Sequence, residues 1–385
     1  MIKAFQFLAS PRLRFQSGCL QALGEEVKSL GGKKILLVTD RGVKSSGLLD
    51  RAIQSLEKEK ISYTAFDEVE PNPSIQTIEK GFIRFKENGC DFLVGLGGGS
   101  PMDTAKAIGV QVTNPGPLLN YEGLDKVVNP IPPLIAIPTT AGTGSEVTAA
   151  SVFTDRARKF KTFLRSTYIV PKVALLDPQL LLTLPPPILA STGMDAFTHA
   201  YESFVSTNTN PVSQALAIDA IRLISQNLRR FYAYPENLEA AEAMMIASTM
   251  AGLAFASGRT GIVHGMAHPL GGHYDVPHGV ANAILLPHCM EFTRMGVPEL
   301  FRRIAEAMGE DIRGLSIDGA SKKAVEAVRN LLSDIGIPKN LREAGAGKEG
   351  IEVMGQEAIQ SKLQLNTPRK INLEDVKVLY EKAFA

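Results

Sequence analysis

The feature that most constrains this chain is a change of texture at Leu184-Pro185-Pro186-Pro187. Before it, short β-type runs alternate with helical patterns: Lys34 to Thr39 (KILLVT), Tyr63 to Phe66, Phe92 to Leu96 (FLVGL), Leu134 to Ile137 (LIAI) and Val173 to Leu176 (VALL). Several of these runs are almost wholly apolar, as strands covered on both faces are. Leu20 to Leu30 and Ile75 to Asn88 read as helices between them, and the alternation predicts an α/β domain with a mainly parallel sheet. After the prolines, β-type runs almost vanish. Val325, Val328, Leu332 and Ile335 lie on one helical stripe with Gly336 and Pro338 as the stop, and Glu236 to Phe255 reads as a helix buried on several sides. At 385 residues the chain exceeds one hydrophobic core, so two domains are expected: residues 1–182 as the α/β domain and 183–385 as an all-helical one.

Charge narrows the partners. Forty-one basic and 40 acidic residues leave a net charge of +1, and no dense basic run follows a phosphate backbone, so nucleic acid is not expected. Met1 to Leu8 is interrupted by Lys3 and Gln6 and lacks both a long apolar core and a cleavage site, so neither a signal peptide nor a membrane anchor is expected. Cys19, Cys90 and Cys289 are far apart and free of CxxC spacing, which fits neither a disulfide framework nor a thiolate zinc site and favours a reducing cytoplasm.

Two glycine loops follow strands in the first domain. In Gly95-Leu96-Gly97-Gly98-Gly99-Ser100-Pro101-Met102-Asp103 the glycines let the backbone approach a pyrophosphate, and the helix that follows offers its free N–H groups and positive dipole end. Ser100 is expected at the N-cap, Pro101 at the first helical position and Asp103 as the acid of a capping-box variant. The spacing departs from the Rossmann fingerprint, and no acid ends a strand about 20 residues later. Asp40, at the end of KILLVT, supplies one earlier: it could accept hydrogen bonds from an adenosine ribose and repel a 2′-phosphate, favouring NAD over NADP, or it could cap the next helix. The second loop, Pro138 to Glu146, puts Thr139, Thr140, Thr143 and Ser145 directly after LIAI, suited to hold phosphate or ribose.

The second domain concentrates metal-ligand chemistry. Asp195 and His199 stand four residues apart, His264 and His268 repeat the spacing, and His278 follows; five of the six histidines fall between His264 and His288. One carboxylate with three imidazoles is a mixed N/O set suited to Fe(II), Zn(II) or a similar divalent ion. Taken singly, each pair is as readily a surface contact or a core histidine; together on an apolar background they favour a metal. Phe255 reads as a core residue, with a pocket wall as the alternative.

In order along the chain, LLVTD, EPNPS, GGGSPMDTAK, PTTAGTGSE, LLDP, GMDAFTHAYE and HGMAHPLGGHYDVPHG resemble the iron-containing, group III alcohol dehydrogenase family, which includes lactaldehyde/propanediol oxidoreductases. The resemblance runs from Gly18 to the Asn366-Thr367-Pro368-Arg369 tail. It implies a metal held by Asp195, His199, His264 and His278, Fe(II) favoured and Zn(II) the alternative, with His268 beside the substrate as proton relay. It also implies an NAD site built from Asp40, Asn72, Gly97, Gly98, Gly99, Ser100, Thr139, Thr140, Thr148, Lys161 and Leu180, with Lys159 as the competing lysine. The activity implied is reversible hydride transfer between a small primary or secondary alcohol and nicotinamide. Pro269 and His273 depart from the family pattern and bear on substrate rather than class. A homodimer is the base-rate assembly.

Three rival classes are weighed. A dehydroquinate-synthase-type lyase would need basic side chains for an anionic substrate, and His264 to His288 holds no Lys or Arg. A maleylacetate-type reductase would lack the carboxylate ligand, which Asp195 supplies. A non-enzymatic NAD-binding protein would show no turnover with any alcohol.

Overall fold

The computed structural model describes residues 4–8, 11–158 and 160–385; Met1 to Lys3, and Lys159 beside Lys161, lie outside the described residues. The chain divides into two compact units, residues 11–183 and residues 184–385 together with 4–8.

The first unit runs β1 (Arg12–Phe15), α1 (Leu23–Ser29), β2 (Lys34–Asp40), α2 (Arg41–Ser45), α3 (Leu48–Lys58), β3 (Ser62–Val69), α4 (Ile75–Glu87), β4 (Phe92–Gly97), α5 (Gly99–Thr113), β5 (Gly123–Leu124), β6 (Leu134–Pro138), β7 (Ala150–Asp155), β8 (Phe160–Arg165) and β9 (Val173–Leu176). A six-stranded parallel sheet has the order β1-β9-β6-β4-β2-β3, with Val38 level with Phe66 on one side and Gly95 on the other. All five runs expected as strands belong to it.

The uninterrupted apolar character of those runs has a direct cause. Along β2, Ile35 and Leu37 face a core shared with Leu23 and Val27 of α1 and Ala52 and Leu56 of α3. Leu36 and Val38 face the opposite core, with Ile78 and Phe85 of α4 and Ala105 and Ile108 of α5. All of these side chains are buried, and the larger aliphatic and aromatic ones are worth about 1.5–3 kcal/mol apiece in transfer free energy. A smaller sheet, β5-β8-β7, pairs β7 and β8 antiparallel with Phe153 opposite Thr162.

The second unit contains α6 (Pro186–Val205), α7 (Pro211–Ala233), α8 (Leu238–Gly258), α9 (Ile262–Tyr274), α10 (His278–Thr293), α11 (Pro298–Ala307), α12 (Ile317–Asp334), α13 (Ile351–Gln360) and α14 (Leu373–Phe384), and no strand among the described residues. Pro186 and Pro187 open α6, where the missing N–H costs nothing. Val325, Val328 and Leu332 form the buried face of α12. The apolar pattern expected at Glu236 to Phe255 is α8, capped by Asn237 through the Ala240 N–H. By length and composition α8 could cross a membrane, and it packs against α6 and α7.

Candidate functional site

Strand order determines where the first unit can receive a ligand. From β2 the chain passes to β3 on one side and then to β4 on the other, so the order reverses between β2 and β4. In open parallel sheets ligands sit outside the carboxyl ends of the strands at such a reversal. Asp40 ends β2 and Gly97 ends β4. Gly97 has φ of +150°, and a Cβ there would stand 2.6 Å from Pro101 Cγ and 3.3 Å from Asp40 Oδ2, so only glycine fits. Asp40 does cap α2, its Oδ1 accepting from the Val43 N–H at 2.9 Å. Its other oxygen is the one nearest Gly97.

The start of α5 differs from expectation. Gly98, not Ser100, is the N-cap, because its extended backbone (φ −74°, ψ −159°) makes the turn two residues earlier; Ser100 and Pro101 lie inside the first turn. No side chain caps this end, leaving first-turn N–H groups available to an anion. Asp103 does not close a capping box: Oδ1 accepts from Ser145 Oγ at 2.5 Å and Oδ2 from the Val152 N–H at 2.9 Å.

The second loop lies alongside. The Thr139 N–H donates to Gly97 O at 3.0 Å, and Thr140 stands 3.4 Å from where a Gly98 Cβ would be. Thr140 Oγ1 is buried with no hydrogen-bond partner among the described residues, as a hydroxyl awaiting a ligand would be. Beneath the loop lies Lys106, fully buried, donating to Ser145 O (2.7 Å), Ser145 Oγ (2.8 Å) and Ala150 O (2.8 Å), with Thr148 Oγ1 at 3.4 Å. Burial lowers the Lys106 pKa, opposed by Asp103 and Glu146, and raises that of Asp103, opposed by Lys106.

Asn72 takes a left-handed φ of +55° in a turn where Glu70 accepts from the Ser74 N–H and the Ser74 and Thr77 hydroxyls. The next residue, Pro73, accepts the Thr154 N–H at 2.7 Å, and Thr154 pairs with Lys161 across β7 and β8. Asn72 and Lys161 are thereby neighbours through Thr154. Leu180 is fully buried in the sheet's core, where it packs rather than presenting a polar group.

In the second unit α6 carries Asp195, His199 and Glu202 at i, i+4 and i+7, α9 carries His264 and His268, and His278 opens α10. Donor atoms of Asp195, His199 and His264 lie within 4.8 Å of one another. Asp195 Oδ1 stands 3.8 Å from His264 Nε2 and 3.7 Å from His278 Nε2, and Asp195 Oδ2 stands 3.9 Å from His199 Nδ1. Ligand atoms about 2.0–2.2 Å from one tetrahedral ion are separated by roughly 3.3–3.6 Å; Asp195, His199 and His264 bring donors of the right kind near that spacing, and His278 stands beside Asp195 outside that group of three. Gly279 makes the approach feasible: a Cβ there would be 2.3 Å from the Ser191 carbonyl oxygen of α6.

Two supporting residues escaped the sequence reading. Glu202, 3% exposed, accepts from His264 Nδ1 at 2.6 Å. Burial alone would lower the His264 pKa; Glu202, with Asp195 behind it, raises it instead. Asn282, fully buried on α10, donates from Nδ2 to Asp195 Oδ1 at 2.8 Å. The ring of His268 stacks on that of His278 at 5.5 Å, and that of Phe255 on His199 at 4.2 Å, so Phe255 belongs to the site's wall. His273 faces Glu357 of α13, its Nε2 3.0 Å from each oxygen. His288 is held neutral, pushed down to about 4 by burial and by Arg329 and Lys382.

Comparison with known proteins bears on the chain and its fold as a whole. Residues 10–178 match the family model for iron-containing alcohol dehydrogenase, and 189–384 that for the C-terminal part of the Fe-containing alcohol dehydrogenase family. The chain is 43% identical to 1,3-propanediol dehydrogenase of Citrobacter freundii, covering 99% of each, and 37% identical to NAD-dependent methanol dehydrogenase of Bacillus methanolicus, covering 98% of this chain and 99% of that one. A crystal structure of a 1,3-propanediol oxidoreductase superposes with a TM-score of 0.97 at 43% identity, covering 99% of this chain and all of the other. Sequence, fold and side-chain placement converge: the chain belongs to the iron-containing alcohol dehydrogenase family.

Proposed function

We propose that this protein is an NAD(H)-linked, metal-dependent alcohol dehydrogenase and aldehyde reductase acting on short primary or secondary alcohols, with small diols foremost. The reading rests on one observation: donor atoms of Asp195, His199 and His264 lie within 4.8 Å of one another in an apolar helical unit, with His278 Nε2 3.7 Å from Asp195 Oδ1. The names of its relatives support the substrate class and the dinucleotide.

Asp195, His199, His264 and His278 would hold one divalent ion, Fe(II) before Zn(II); the bound ion supplies Lewis acidity toward the substrate oxygen, and the nicotinamide accepts or returns hydride. The protein's own groups do the rest. Gly97, Gly98, Gly99 and Ser100 bring backbone N–H groups and the α5 dipole to the pyrophosphate, with Thr139, Thr140 and Thr148 on its other side. Asp40 accepts from the ribose hydroxyls and repels a 2′-phosphate. Asn72 and Lys161 complete the cofactor site, and Leu180 backs it by packing. His268, half-buried against His278, carries the substrate's proton toward solvent. Phe255, against His199, excludes bulk on that side and favours small alcohols. Residues 11–183 thus serve the cofactor and 184–385 the metal and catalysis. A cytoplasmic setting, supported by three buried, free cysteines, and a homodimer as the base-rate assembly complete the reading.

The test is to strip metal with a chelator, add back Fe(II) or Zn(II), and follow NADH oxidation with short aldehydes and NAD reduction with 1,3-propanediol. Loss and recovery of turnover are expected; turnover indifferent to chelation would falsify the metal role.

A further inference from the structure

Glu202 takes more from its surroundings than a helix cap requires. Its Oε1 accepts from the Val263 N–H at 2.6 Å, and its Oε2 from the Gly261 N–H at 2.8 Å and from His264 Nδ1 at 2.6 Å. The cap residue of α9 is Gly261, which has no side chain to satisfy the first turn, so a carboxylate from α6 does so, helped by Thr367 Oγ1 on the Ile262 N–H at 3.2 Å. Capping alone needs no buried charge, since a hydroxyl or amide serves as well. The third contact, to His264, explains the carboxylate.

We propose that Glu202 is a positioning residue that fixes His264 in the Nδ1–H tautomer, turns its Nε2 lone pair to the metal and supplies the second negative charge that balances a buried divalent ion. The inference rests on the reading of His264 as a ligand. Three observations carry it. A carboxylate can only accept, so Nδ1 must donate, and Nε2 is left as the acceptor 3.8 Å from Asp195 Oδ1. Asn282 Nδ2, a donor, lies 3.3 Å from that same Nε2 and 3.1 Å from His278 Nε2, a placement that suits unprotonated ring nitrogens. Asp195 and Glu202 are both buried, and their two charges equal those of the ion; metal-bound imidazoles commonly donate their other nitrogen to such a carboxylate. Gly261 preserves the arrangement, since a Cβ there would lie 3.0 Å from Glu202 Oε1.

Glu202→Gln keeps the size and an acceptor oxygen but removes the charge. Metal-free wild type, E202Q and T367V are titrated with cobalt(II) and with zinc(II) in competition with a chelator, and the cobalt(II) visible spectrum is recorded for each. E202Q should bind about 10–100-fold more weakly with an altered spectrum. T367V, which loosens the start of α9 without touching His264, should bind within about threefold of wild type. Equal affinity and spectrum in E202Q overturns the inference alone, as does an equal loss in T367V. Failure of wild type to bind either ion overturns the metal assignment and this inference together. Should E202Q not fold, histidine-selective ¹⁵N spectra of the zinc-loaded wild type decide: Nδ1–H at His264 supports the inference, Nε2–H overturns it.

Discussion

At the residue scale the sharpest assignments are those in which one side chain has two duties. Asp40 caps α2 and presents its second oxygen beside Gly97. Asp40→Gly should therefore cost only about 0.3 kcal/mol of stability through the cap while shifting cofactor choice much further. The ratio of kcat/KM for NAD to that for NADP should fall at least about tenfold, equivalent to about 1.4 kcal/mol, as the repulsion between the carboxylate and a 2′-phosphate is removed. Steady-state kinetics with both dinucleotides check this, and an unchanged ratio would leave Asp40 as a cap and nothing else. The Asp/His cluster was legible because Asp and His recur at helical spacing. Glu202 and Asn282 were not, since a carboxylate seven residues along a helix and an amide inside an apolar run carry no local signature; their meaning comes from α6, α9 and α10 meeting.

At the element scale, legibility followed burial. Strands β2, β4, β6 and β9 are covered on both faces and stand out as apolar runs. The edge strand β1 (RLRF) and the amphipathic β7 and β8 mix charges with apolar residues and leave no apolar run to mark them. The start of α5 differs from expectation because Gly97, at φ +150°, and the extended Gly98 make the turn without any capping side chain, while Ser100 and Pro101 imitate a cap. Two helix-scale predictions follow from close packing. Gly279→Ala puts a methyl group 2.3 Å from the Ser191 carbonyl oxygen, forcing α10 off α6. Overpacking of this kind costs about 1–3 kcal/mol, and because His278 is the adjacent residue, metal content measured by elemental analysis should drop with the melting temperature. Retained metal at normal melting temperature would contradict the proposed approach of the helices. Lys106→Met removes the buried cation that ties α5 to the Ser145 loop. Breaking such a buried network costs about 3–5 kcal/mol. In protein that remains folded, dinucleotide affinity followed by NADH fluorescence should weaken at least about tenfold while metal content stays at the wild-type level; the opposite pattern would place Lys106 in the service of the metal.

At the scale of the whole molecule, the two units keep separate cores and separate chemistry. The parallel sheet has its own apolar clusters on both faces, and the helical unit buries α6 between α7, α8 and α10. The cradle lies wholly in residues 11–183 and the Asp/His cluster wholly in 184–385. A ligand that binds only the folded form stabilises what it binds by about 2.7 kcal/mol at one hundred times its dissociation constant. For units of this size that is a rise of roughly 5–10 °C in melting temperature. Calorimetry should therefore distinguish the two ligands: NAD should raise the transition assigned to the α/β unit, and zinc(II) or iron(II) the transition assigned to the helical unit. Fragment-specific proteolysis after heating identifies which unit has opened. If either ligand moves both transitions equally, the units are not thermodynamically separate, and the division of labour between cofactor binding and metal binding fails at this scale even if every residue assignment survives.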